Sequence, residues 1–174
     1  MTLYRTVACS FVGAVTRRSP GPALVTALLA LALGACTKAP EEVEASAAQH
    51  LSRNESRSAM VELKDLLQRE PNRPRARLLL GQAMNDQDDY AGAEGELRRA
   101  AALGIGADSV APPLARAMLY QGRLEEIVRE PLFDEVREPL ARAAVLEREA
   151  SALLALGRKA EAVPLLDEAP RWLP

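Results

Sequence analysis

The chain has 174 residues, with 22 Lys+Arg against 24 Asp+Glu and 3% aromatics. A net charge of −2 and the lack of any basic cluster give no footing for a nucleic-acid partner. Its two cysteines, Cys9 and Cys36, both lie near the start of the chain, so no disulfide framework or thiol chemistry is expected in the body.

Residues 1–35 hold Arg5, Arg17 and Arg18 and no acidic residue, and residues 23–33 (ALVTALLALAL) carry no charge at all. A positive start followed by an apolar run of this length reads as a signal peptide, since a membrane span needs roughly 20 apolar residues. The run ends in Leu33-Gly34-Ala35-Cys36. This resembles a bacterial lipobox, in which small residues let a peptidase take the extended backbone and the cysteine is lipidated as the new N-terminus. Arg17-Arg18 precedes Ser19-Pro20-Gly21, which is unlike a twin-arginine signal, so the general secretion route is expected. Thr37, being a non-Asp residue after the cysteine, resembles an outer-membrane sorting signal with the protein facing the periplasm. Cleavage leaves 139 residues with a charge of −5. Residues 36–42 then form a short tether, so the folded part, residues 43–174, is expected close to the membrane surface. Anchoring through one acyl chain is marginal, but the three carried by such lipoproteins hold firmly.

The rest of the chain is apolar at helical spacing, interrupted by short polar turns. The clearest segment is 76–101. Leu79, Leu80, Ala83 and Met84 form one stripe, residues 85–89 (NDQDD) break it, and Tyr90, Ala93, Leu97 and Ala100 form a second. Asp88 or Asp89 is placed to cap the second helix. The pattern recurs every 34 residues: Ala59 with Ala93, Leu63 with Leu97, Leu80 with Leu114, and Ala47, Gly81 and Ala115. Small residues at the last set allow two helices to cross closely, where a larger side chain would strain the fold by about 1–3 kcal/mol. A third pair starts near Asp108, with Pro112 and Pro113 expected in or before the first helical turn. Its second helix runs from Leu124 and is cut short at Pro131. A fourth pair resumes near Ala143, with Leu146, Ala150, Leu153 and Leu154 in its first helix and Ala162, Leu165, Leu166 and Ala169 in its second. Four such pairs fill the mature chain and leave no room for a catalytic domain.

The period and the pairs Leu80-Gly81 and Ala93-x3-Leu97, with Met84 at a tyrosine position, resemble the tetratricopeptide repeat (TPR). The expected fold is therefore an all-α TPR helix–turn–helix solenoid of about four pairs after a cleaved lipoprotein signal peptide. Residues 62–129 go further. Glu62-Leu63-Lys64, Gln68, Pro71, Ala76-Arg77, Leu79-Leu80-Gly81, Ala93-Glu94, Glu96-Leu97 and Leu103-Gly104 resemble the TPR lipoproteins of the PEP-CTERM/exosortase system (PrsT-like). Those proteins are much longer, and no polar capping helix follows the fourth pair here. The chain is accordingly expected to be the N-terminal portion of a longer protein, with Trp172 and Leu173 as an improvised cap otherwise.

No Ser/His/Asp set, phosphate loop or CxxC occurs, so neither an enzyme nor a cofactor or metal site is expected. The single histidine, His50, falls at a half-buried packing position. What the resemblance implies is protein binding on the concave face lined by the first helices. The candidates there are Arg75, Gln82, Asn85, Arg116, Tyr120 and Glu147, with other proteins as partners and the membrane reached only through lipid on Cys36. The expected function is a non-enzymatic scaffold in an envelope assembly, most like exopolysaccharide or PEP-CTERM protein export. The alternatives are a purely structural N-terminal module and a pilus or outer-membrane assembly lipoprotein. On this basis Gly81→Leu is expected to disrupt folding and Asn85→Ala to leave it intact.

Overall fold

The computed structural model describes residues 38–172; the signal segment, the lipobox with Cys36, and Leu173 lie outside the described residues. Within them the structure is all-helical. Helix α1 spans Pro40–Ser52, α2 Ser56–Arg69, α3 Pro74–Asp86, α4 Tyr90–Ala102, α5 Ala107–Tyr120, α6 Leu124–Ile127, α7 Pro139–Ala155 and α8 Lys159–Glu168. Two 3-10 segments, Pro131–Glu135 and Ala169–Trp172, follow α6 and α8. Each helix packs on the next, and the first helices of adjacent pairs also touch: α1 with α3, α3 with α5, α5 with α7.

The turn inside every pair is built the same way. The middle residue has a positive φ: Asn54 (59°), Asp88 (60°), Gly122 (73°) and Gly157 (77°). The following N–H donates back to the carbonyl five residues earlier: Glu55 to His50, Asp89 to Met84, Arg123 to Met118, Arg158 to Leu153, at 2.8–3.0 Å. This is a Schellman closure, which satisfies helix-end carbonyls through one left-handed residue. Glycine takes that conformation without strain, and Asn or Asp tolerates it through local hydrogen bonding. Asp89 then caps α4, its carboxylate accepting from the Gly92 N–H at 3.0 Å, as expected of one of the two aspartates.

Inside the second pair, Leu80, Ala83, Ala93, Leu97 and Ala100 are all buried. A Cβ on Gly81 would stand 2.6 Å from Leu97 Cγ and 3.2 Å from the Ala93 carbonyl oxygen. That contact places the α3–α4 crossing at the expected small residue. Met84 bridges the apolar cluster of the first two pairs and the larger cluster that runs on through Phe133 and Ala152.

Three expectations are corrected. Pro112 and Pro113 lie inside α5, which begins at Ala107. Each removes a donor to the carbonyl four residues back, on Asp108 and Ser109, and both of those residues are exposed, so water can serve them. The fourth pair begins at Pro139, a turn before Ala143, because Glu138 caps it by accepting from the Ala141 N–H at 2.7 Å. Finally, the spacing puts Leu154 and Leu166 in the apolar stripes of the fourth pair, yet each is 43% exposed. The segment carrying Trp172 packs on α7 and α8 of its own pair and, among the described residues, does not bury these two.

As expected, the third pair is irregular. α6 makes one turn, and the chain then inserts Phe133 and Val136 into the core at 0% and 1% exposure. Asp108 pins this connection by accepting from the N–H groups of Glu138 (2.8 Å) and Arg137 (2.6 Å), which holds its carboxyl below the ordinary range.

Candidate protein-interaction face

The six residues expected on the first-helix face divide in the structure. Arg75 is exposed on α3 and makes no ion pair among the described residues. Gln82 is half-buried one turn after Leu78. Glu147 is exposed on α7 and pairs with its neighbour Arg148 at 3.2 Å. Arg116, on α5, reaches back to Asp86 at 3.2 Å and is half-exposed.

Asn85 is not on the face. It is 1% exposed, and its Nδ2 donates to the Pro113 carbonyl at 2.8 Å, so it ties α3 to α5. Its Oδ1 is buried without a partner among the described residues. A ligand cannot reach this side chain. Its removal would leave the Pro113 carbonyl without that donor, so the expectation that Asn85→Ala is silent is also withdrawn.

Tyr120 is 63% exposed and stacks on Tyr90, with ring centroids 4.8 Å apart and planes inclined by 11°. Such a pair is a rigid apolar step with polar edges, the kind of surface that contributes strongly to protein contacts. The Tyr90 hydroxyl donates to Asp88 at 2.6 Å. That bond, then burial, raises the Tyr90 pKa. The stack was not read from the sequence. The signal for it was present: the 34-residue phase sets Tyr90 at the start of a second helix and Tyr120 at the end of the following first helix, and these ends adjoin.

Several polar residues outside this face join repeats. Glu94, on α4, is 7% exposed and accepts from Arg98, Gln121 and Arg123. Burial pushes its carboxyl up, but these donors outweigh burial and hold it below the ordinary value. Asp86 accepts from Ser56 of the first pair at 3.0 Å as well as from Arg116 of the third. His50 is half-buried, its side chain 27% exposed, and its Nδ1 lies 2.5 Å from Glu55 Oε2. Among the described residues no cluster of His, Cys, Asp and Glu is arranged to hold a metal ion.

Comparison of the chain with protein-family models and with curated proteins finds no match. Among the described residues no helix is long and apolar enough to cross a membrane.

Proposed function

We propose that the chain is a TPR-type scaffold that binds a protein segment on its first-helix face, presented from the envelope by lipid on Cys36. The observation that carries this is the recurrence of one helix–turn–helix unit at 34-residue spacing, with Arg75, Leu78, Gln82, Arg116 and Tyr120 facing outward or half-exposed on successive first helices. An extended peptide or a helix fits such a face, its apolar residues on the Tyr90–Tyr120 step and its carboxylates near Arg75. The lipobox resemblance and the resemblance of residues 62–129 to exosortase-system lipoproteins support an envelope assembly handling exopolysaccharide or sorted surface proteins as the setting.

A purely structural module is favoured by one observation: Asn85 and Arg116, two of the six candidate contacts, are engaged in joining repeats. Recovery of partners from envelope extracts separates the two readings. Arg75→Glu combined with Tyr120→Ala is expected to abolish recovery with an unchanged melting temperature, and undiminished recovery would favour the structural module. The anchor is tested independently by Cys36→Ser, which is expected to move the protein from the membrane to the soluble periplasmic fraction; continued membrane retention would overturn the lipoprotein assignment.

A further inference from the structure

The tyrosines among the described residues, Tyr90 and Tyr120, stack on each other across the junction of the second and third pairs. The fold does not require rings there. At the preceding junction the residues 34 positions earlier are Ser56 and Asp86, joined by one hydrogen bond of 3.0 Å. At the following junction, with the one-residue slip of the fourth pair, they are Leu124 and Ala155.

The step is held in place by its own surroundings. Gln121, next to Tyr120, donates from Nε2 to the Tyr90 carbonyl at 3.2 Å and to Glu94 at 2.9 Å, and the Tyr90 hydroxyl is tied to Asp88. One face of the Tyr120 ring lies on Tyr90; with the residue 63% exposed, the other face meets solvent. A binding surface fixed in this way loses little freedom when it is occupied.

The charge beside the step is negative. Of the three aspartates just before Tyr90, Asp86 is paired with Arg116, whereas Asp88 and Asp89 have no cationic partner among the described residues. Asp88 accepts the Tyr90 hydroxyl at Oδ1, and its Oδ2 has no partner among the described residues. An apolar side chain on the ring gains nothing from these carboxylates. A guanidinium gains from both, because it is planar, stacks on an aromatic face and keeps N–H donors for oxygens at its rim. We infer that the open face of Tyr120 receives an arginine side chain, its guanidinium stacked on the ring with its charge set against Asp88 and Asp89. The segment that carries the arginine is the one bound in the scaffold reading, on which the inference rests.

The test titrates acetyl-arginine amide into the full chain carrying Cys36→Ser and follows the ring resonances of Tyr90 and Tyr120 by NMR, with acetyl-leucine amide as the comparison. Saturable shifts are expected with the arginine probe, at least about 3-fold tighter than with the leucine probe and weakened by added salt. Tyr120→Ala is expected to abolish the response at Tyr90, and Tyr120→Phe, which keeps the ring, to retain binding. Asp88→Asn keeps an acceptor for the Tyr90 hydroxyl and suits the left-handed backbone at φ 60°, so it removes charge alone. It is expected to weaken the arginine probe about 2- to 5-fold and to leave the leucine probe unchanged. Equal affinity for the two probes overturns the inference, as does the absence of a saturable response, or an arginine response that Asp88→Asn and salt both leave unaltered. No partner protein is present in the titration, so each of these results leaves the scaffold reading standing on its own test of partner recovery.

Discussion

The second and fourth helix pairs share a repeat phase and differ in what lies beyond them. Leu97 and Leu166 occupy the same position of the repeat, yet one is fully buried and the other 43% exposed. Asn85 and Glu94 are covered although polar, and Leu154 and Val163 are open although apolar. In a stack of this kind a pair buries its own outer side chains only in part, as Leu97 lies against Gly81 of its own pair. The next pair completes the burial, which is a property of the junction rather than of the residue type.

The largest expected effect contrasts the two leucines. Leu97→Ala should destabilise the fold by about 2–5 kcal/mol, because it empties a site that cannot collapse freely. Leu166→Ala, measured by urea unfolding in dilute monomeric solution, should cost less than about 1 kcal/mol, since half its surface is already in water. Equal costs would break the comparison.

Next come two changes within α3. Gly81→Leu should cost about 1–3 kcal/mol or more by overpacking, for a Cβ alone would meet Leu97 Cγ at 2.6 Å. Asn85→Ala should cost about 1–2 kcal/mol through the lost bond to Pro113, whereas Leu154→Ala at the equivalent open position should be nearly neutral. Melting curves of the three variants check this ranking.

The smallest effect is a pH slope. Glu149 stands where the second and third pairs carry Leu80 and Leu114, at 3% and 0% exposure. Burial there pushes its carboxyl from 4.5 to about 7; Arg142 opposes the shift, and Asp134 and Glu168 add to it. Below 4.5 the folded and unfolded chains both hold this proton. Between 4.5 and about 7 only the folded chain does, so this group makes stability fall as pH rises through that window, and the loss is complete above it. Glu94 acts oppositely: its lowered value gives stability that is present above the ordinary carboxyl range and is lost on acidification. Thermal melts of Glu149→Leu should raise the melting temperature more above about pH 7 than below 4.5, and a pH-independent gain would show that Glu149 is not responsible.

Much of this architecture was legible. The 34-residue phase located the helix pairs, and Gly81 and Ala93 marked a crossing that the structure places between them. Gly122 and Gly157 fell in named turns, whereas Asn54 took the same backbone state without the glycine that announces it. Asn85 was misread because its position alone resembles a groove contact; its burial depends on a carbonyl at Pro113, 28 residues on. The same holds for Glu94, a charged residue made tolerable by donors gathered from its own helix and from the third pair. Such long-range pairing has no periodic signature. Leu154 and Leu166 failed for the complementary reason: apolar spacing identifies a face but not whether anything covers it.

The most direct test of the claim that each pair is closed by the next is a double-mutant cycle across the junction of the second and third pairs. Glu94→Gln, Arg123→Ala and the double variant would be compared by urea unfolding. A favourable coupling of about 1–3 kcal/mol between the two sites is expected, as for contacting charged groups in one hydrogen-bonded network. Additive effects, with no coupling, would contradict the account.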